Sequence, residues 1–177
     1  IVAKLKTDPG SLRISCGGTC NASWDIPFIS LLLDQGVDAK RLNLIPAAGS
    51  AAGLQELASG GVDVVLCSLP EVDALRDAGR VRSIAVMSET RIEGYPDVAT
   101  VGEQVGKPYS GGTWRGLAGP PGMDPSLVAR IESAVKDAFE SDRFQREMKA
   151  RRFGAAWLGQ TELTAFKRPL GRGIIAL

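Results

Sequence analysis

The sequence predicts an α/β layered fold, and three observations carry that prediction. Short apolar runs alternate with amphipathic stretches, the connections between them are short, and small or helix-capping residues stand at nearly every junction. Parallel strands need helical crossovers of this kind, and such crossovers are right-handed.

The first strand candidate is LRIS at 12–15, followed by the loop CGGTCNAS. WDIPFISLLLDQG, 24–36, reads as an apolar helix ending at Gly36. Asp25 is its expected N-cap, which leaves Pro27 in the first turn where a missing N–H is harmless; Leu31, Leu32 and Leu33 read as core. RLNLIPA, 41–47, is the second strand, and Ser50 is the expected cap of the helix AAGLQELAS, 51–59, which stops at Gly60 and Gly61. VDVVLCS, 62–68, is a continuous apolar strand of the type buried on both faces. PEVDALRDAG, 70–79, opens on proline and closes on glycine as a third short helix, and VRSIAVM, 81–87, is the fourth strand. The order to this point is β-α-β-α-β-α-β, which places helices on the faces of one sheet.

After Met87 the pattern changes to a long polar connection with one helical turn at 100–105. TWRGLAG, 113–119, is a lone strand candidate. Asp124 then caps the clearest helix of the chain, with Pro125 at its first position and Leu127, Val128, Ile131, Val135, Ala138 and Phe139 on one face. A shorter amphipathic helix carries Phe144 and Met148, and its charges from Arg143 to Arg152 read as a solvated face. FGAAWL, 153–158, and TELTAFK, 161–167, suggest a last strand and helix. The expected organisation is an α/β lobe over 1–112 and, over 113–177, elements that lack a core of their own. These either wrap the first lobe or belong to a second, incomplete one.

Composition narrows the function. At 177 residues, 44% hydrophobic and 23% charged, the chain has the balance of an ordinary globular protein of one domain or slightly more. A formal net charge of +1 gives no argument for nucleic acid or an anionic membrane. No apolar run approaches the roughly 20 residues of a membrane-spanning helix. The chain starts at Ile1 without a visible signal peptide, so the expectation is that a leader was removed or that the chain is a fragment.

There is no histidine, which excludes Ser-His-Asp and Cys-His catalysis and histidine-based zinc sites. The three cysteines, Cys16, Cys20 and Cys67, make a poor zinc site on their own. Cys67 sits in an apolar run as buried thiols do. Cys16 and Cys20 either form one disulfide in an oxidising compartment or are two small residues in a tight loop.

The loops after the strands draw attention because ligands of open α/β sheets sit beyond the carboxyl ends of the strands. A helix N-terminus there offers free N–H groups and about half a positive charge. Ala48, Gly49, Ser50 and Ala51 form one candidate cradle for an anion, and Gly17, Gly18, Thr19 and Asn21 a second; Ser68 falls at the same edge. A plain helix cap would use the same Gly-Ser turn. If Asp25 caps its helix, its carboxylate already takes the place of an anion at the Gly17 loop. Neither loop matches a nucleotide fingerprint, so carboxylate is favoured over phosphate.

Several segments resemble one family. GYPDVATVGEQVG, at 94–106, looks like the PDVPTVAEQG stretch of the tripartite tricarboxylate transporter substrate-binding proteins, also called Bug-type solute receptors. LIPAAGSAAGLQELASGGVDVVLCS, LPEVDALRDAGRVRSIAVMSETR and GLAGPPGMDPSLVARIESAVKDAF resemble further segments of that family, so the similarity runs in register over about 11–166. It implies a periplasmic binding protein type II-like lobe, with a parallel-rich sheet and flanking helices, plus C-terminal elements of a second lobe. It also implies an extracytoplasmic, bilobal, non-enzymatic receptor. Such a receptor captures a small carboxylic acid, delivers it to a membrane permease, and needs no cofactor. By the resemblance Thr113, Trp114 and Arg115 lie where the chain crosses between lobes; either Trp114 walls the cleft and Arg115 pairs a ligand carboxylate, or the two are a buried tryptophan beside a solvated arginine.

The chain departs from the family in three places. It begins where the family's second lobe begins, it reads Ser23-Trp24-Asp25 where a histidine often stands, and its tail KRPLGRGIIAL fits the terminal helix poorly. The alternatives are a sensory module of the same fold feeding a regulator, or a truncated remnant that binds nothing. An enzyme with Cys16 or Cys20 as nucleophile is disfavoured because no histidine is there to activate a thiol. With the first lobe incomplete, the face bearing Leu127, Ile131 and Val135 is expected to drive dimerisation or strand exchange, or to pack on its own lobe.

Overall fold

The computed structural model describes residues 1–22, 24–112 and 115–166. The chain divides into two compact units, Ile1–Trp114 and Arg115–Leu177.

The first unit is built on three parallel strands, β1 (Arg13–Ser15), β2 (Asn43–Ile45) and β3 (Val64–Val65), in the order β2-β1-β3. Ile14 pairs with Leu44 on one side and Val64 on the other. Alternation along β1 sends Ile14 and Ser15 to opposite faces. Ile14, fully buried, joins Leu5 of α1 (Val2–Thr7), Phe28, Leu31 and Leu32 of α2 (Asp25–Asp34) and Val101 of α5 (Val101–Val105) in one core. Ser15 meets α3 (Ser50–Ser59) on the other face: a Cβ added to Gly53 would stand 2.6 Å from the Ser15 hydroxyl, so the missing side chain lets helix and strand approach. α4 (Leu69–Asp77) packs beside α3. The predicted α/β lobe is therefore present, with helices against both faces.

The start of the sheet is fixed by one ion pair. Arg13 donates from its backbone N–H (2.8 Å) and its guanidinium (2.9 and 3.1 Å) to the Asp63 carboxylate, while the Asp63 N–H returns a bond to the Arg13 carbonyl at 2.9 Å. The guanidinium and the backbone donor together hold the Asp63 carboxyl down at about 2.

Three sequence expectations for this unit are corrected, and one element is added. The fourth strand, 81–87, is not a strand; Ile84 is exposed and its carbonyl accepts from the Gln104 side chain at 2.6 Å. Only Val86 pairs, with Thr100, so this segment lies along the start of α5 rather than extending the sheet. β3 is an edge strand with Val64 and Val65 half-buried, so its apolar run is not covered on both faces. Leu33, unlike its two neighbours, is exposed, because the third consecutive residue of a helix points away from the buried side. Finally, α1 precedes the first strand and was not anticipated; Val2 and Leu5, three apart, are its inward pair. The helical turn after Thr100 is found as expected, with Thr100 and Glu103 forming a reciprocal cap.

The second unit contains α6 (Pro125–Glu140), α7 (Asp142–Ala150) and a helical stretch over 160–166. Asp124 caps α6 through the Ser126 N–H at 2.7 Å, and Ser141 caps α7. Phe139 packs against Phe144 and Trp157 with ring centroids 5.3 and 5.6 Å apart. Leu127 and Ile131 are exposed on α6. The strands expected at 113–119 and 153–158 do not form where the chain is described; Thr113, Trp114 and the tail from Lys167 lie outside the described residues. A strand needs a sheet partner, and neither segment has one among the described residues of its unit.

Candidate functional site at the carboxyl edge of the sheet

Because all three strands run parallel, the loops after β1, β2 and β3 emerge at one edge, and the structure ties them together there. The Ala47 N–H donates to the Gly18 carbonyl at 2.9 Å, and the Ser50 hydroxyl reaches the Gly17 carbonyl at 3.4 Å. Gly17 has φ +66°, and a Cβ on it would stand 2.0 Å from the Leu66 carbonyl oxygen in the loop after β3. Only glycine fits both the backbone conformation and the contact. Gly17, Gly18, Gly49, Ser50 and Ser68 thus sit in connected loops, as the sequence reading places them.

The three loops differ in what they offer a ligand. In the first, Cys16 and Cys20 are disulfide-bonded with Cα atoms 5.3 Å apart, which decides between the two readings of that pair. Asp25 is not the N-cap of α2; Trp24 is. Asp25 is the first helical residue, fully buried, and its carboxylate accepts the Asn21 N–H at 2.5 Å and the Ala22 N–H at 2.8 Å. Its carboxylate thus holds the end of the Gly17 loop, as a bound anion would. Gly18 is half-buried, and Thr19 and Asn21 are exposed.

In the second loop the cap assignment also shifts by one. Gly49, φ +113° and ψ 170°, is the N-cap of α3 and Ser50 its first residue. The Ser50 side chain leaves the helix end and bonds across to Gly17 instead, so α3 begins with no side-chain cap. Ala48 and Ala51 are exposed and add no side chain beyond a methyl group. The first turn of α3 therefore presents main-chain donors at the sheet edge.

In the third loop Ser68 is the N-cap of α4 and is tied to Glu71. Both the Ser68 N–H (2.9 Å) and its hydroxyl (2.5 Å) donate to the Glu71 carboxylate. The Ser-x-x-Glu spacing signals this pairing in the sequence, and the reading of Ser68 as a ligand residue passed it over. Cys67 beside it has its thiol pushed up to about 12, chiefly by burial.

Trp114 lies outside the described residues; Arg115 is exposed in the second unit. An open depression of about 710 Å³ elsewhere in the first unit is lined by Thr100, Glu103, Lys107 and Tyr109 and shares no residue with the three loops. Its Glu103 is engaged locally, by Arg91 at 3.0 Å and by the Thr100 N–H at 2.6 Å. Cys16, Cys20 and Asp25 bring ligand atoms within 4.8 Å of one another, but the disulfide removes both thiolates that a metal would use.

The sequence model described as "Tripartite tricarboxylate transporter family receptor" matches residues 1–164. A UPF0065 protein of Bordetella pertussis is 28% identical over 145 residues, 81% of this chain and 43% of that protein. Among solved structures, a TctC solute-binding protein from Polaromonas, without ligand, superposes with a TM-score of 0.69 at 28% identity, covering 98% of this chain and 57% of that one. A protein of R. palustris solved with adipate gives 0.68 at 20% identity, covering 99% and 56%. The chain spans less than half the length of the curated relative and little more than half of these structures. Among the described residues no helix is long and apolar enough to cross a membrane.

Proposed function

We propose that this chain, which belongs to the tripartite tricarboxylate transporter family of receptors, contributes one lobe of an extracytoplasmic receptor that captures a small carboxylic acid for a membrane permease. The division at 114–115 supports this reading, in which 1–112 is the α/β ligand-binding lobe and the segment from 113 returns to the other lobe. The adipate held by the R. palustris protein indicates the class of ligand. The disulfide fits an oxidising compartment such as the periplasm.

The observation that carries the proposal is the uncapped start of α3 at the carboxyl edge of three parallel strands. A carboxylate placed there takes main-chain N–H groups of Ser50 and Ala51 together with the positive end of the helix. Small residues at 48–51 let it reach the backbone, and Gly18, bonded to the Ala47 N–H, borders it from the next loop. Ser68 plays the smaller part, because Glu71 already holds its hydroxyl.

Calorimetric titration with a panel of mono- and dicarboxylic acids tests the proposal. Ala51→Pro deletes one N–H while leaving a helix start that accepts proline, as Pro70 does in α4. A charge-assisted bond lost there should weaken binding about tenfold or more. If no acid binds, the receptor reading fails; if an acid binds and Ala51→Pro leaves its affinity intact, the site assignment fails.

A further inference from the structure

The first loop is closed by a bond that can be opened chemically, and its position is unusual. Cys16 and Cys20 are only four residues apart. The entropy that a cross-link removes from the unfolded chain grows with loop length, so this short ring adds less to global stability than a longer one would. What it encloses is Gly17, Gly18 and Thr19. The two glycines provide the carbonyls that hold the second loop, through Ala47 at 2.9 Å and Ser50 at 3.4 Å. Outside the ring, Asn21, itself at φ +61°, is held by Asp25. The disulfide thus fixes the conformation on which two of the three loops depend.

We propose that the Cys16–Cys20 disulfide is a reducible lock on the carboxyl edge of the sheet, opened by an external dithiol while the strands and helices of the first unit stay folded. Cys16 is 1% exposed and anchored at the end of β1 through its N–H to the Ile45 carbonyl, whereas Cys20 is half-exposed in the loop. A reductant thiolate attacks the Cys20 sulfur; a mixed disulfide forms and the Cys16–Cys20 bond breaks. Cys16 leaves as a thiolate and takes a proton. The second thiol of the reductant then attacks the mixed disulfide and releases Cys20, so two electrons and two protons pass from the dithiol to the protein. Cys67 stays a protonated thiol at neutral pH, because burial pushes it up to about 12, and does not compete as an internal nucleophile. Once the ring is open, Gly17 and Gly18 are free to leave the contacts that seat the second loop.

The test is hydrogen exchange on the oxidised chain, on the same chain after native-state reduction with dithiothreitol, and on Cys16→Ser/Cys20→Ser. Alkylation and mass measurement confirm the redox state. The expected result is exchange faster by roughly tenfold or more across 17–22 and 46–51 in both the reduced protein and the double variant, with β1 and α2 unchanged. Three outcomes overturn the proposal: unchanged loops after reduction, faster exchange throughout 1–112, or a disulfide that native protein keeps out of reach of the dithiol. A parallel titration with a carboxylic acid should show weaker binding after reduction. That arm alone rests on the proposed function, and a chain that binds no acid in either state leaves the exchange result to decide.

Discussion

Gly17→Ala is the most exacting substitution the structure offers, because two separate terms act against it. The first is conformational: φ is +66°, in the left-handed region where a Cβ costs about 1–2 kcal/mol. The second is steric. The new Cβ would stand 2.0 Å from the Leu66 carbonyl oxygen, a backbone atom in the neighbouring loop, with Trp24 at 3.4 Å behind it. Forcing an extra carbon into packed backbone costs about 1–3 kcal/mol, so the sum is about 2–5 kcal/mol. Two nearby glycines separate the terms. Gly49 has φ +113° and ψ 170° with open space around its Cβ position, so Gly49→Ala carries the backbone term alone, about 1–3 kcal/mol. Gly18 has neither a positive φ nor a neighbour within 4 Å, so Gly18→Ala should fall within about 0.5 kcal/mol of the parent or be slightly stabilising. Urea unfolding followed by tryptophan fluorescence gives the order. At a slope of about 2 kcal/mol per molar, Gly17→Ala lowers the midpoint by about 1–2.5 M, and Gly49→Ala by about half as much. A Gly17→Ala midpoint equal to that of Gly18→Ala refutes the packing of the first loop on the third.

Substitutions at two other positions test the frame around the site. The Asp63 carboxyl is held down at about 2 against 3.8 in an unstructured chain, so its contribution to stability is complete above about pH 4 and is lost as pH falls towards 2; an NMR titration should find that low midpoint, and Asp63→Asn should flatten this part of the acid-unfolding curve. Both side chains are partly exposed, so added salt should shrink the effect, and a midpoint near 4 in low salt would remove the Arg13–Asp63 clamp from the description. Asp25→Ala leaves the Asn21 and Ala22 N–H groups without their acceptor and should cost about 2–3 kcal/mol in thermal or urea unfolding, with Asp25→Asn milder because an amide oxygen still accepts; equal stability of all three proteins would mean that the carboxylate does not hold the loop.

Much of the secondary structure was legible in the sequence because its signals are local. Strands at Ile14, Leu44 and Val64 are bounded by turn residues, and Thr100, Asp124 and Pro125 announce helix starts by their own chemistry. The misreadings arise where a distant group decides. Ser50 has the right chemistry for a cap, but the Gly17 carbonyl, thirty-three residues away in sequence, takes its hydroxyl, and Gly49 supplies the bend instead. Asp25 was displaced in the same way: its carboxylate is drawn to the loop before it, a choice that capping rules for the helix after it do not contain. The segment at 81–87 has strand composition, yet a strand exists only by pairing, and its one bridge goes to Thr100. The small-residue loops of the candidate site could be found from sequence, and the Cys16–Cys20 bond was one of the two readings of that pair; the Ser15–Gly53 approach could not, since it depends on which segments the sheet makes neighbours.

Under the proposed function, the order β2-β1-β3 also determines where along the sheet edge an acid settles. At the β2 end the chain turns into α3 with its main-chain donors uncapped. In the centre, after β1, the buried Asp25 carboxylate already receives two loop N–H groups. At the β3 end, the Glu71 carboxylate receives both donors of Ser68. Two of the three loops are thus closed by the protein's own carboxylates, and a second negative charge beside either one is repelled and finds those donors engaged. The same small-residue composition therefore has different consequences in three adjacent loops. What distinguishes the β2 end is that its serine hydroxyl was diverted to Gly17, leaving the helix start for a ligand to complete.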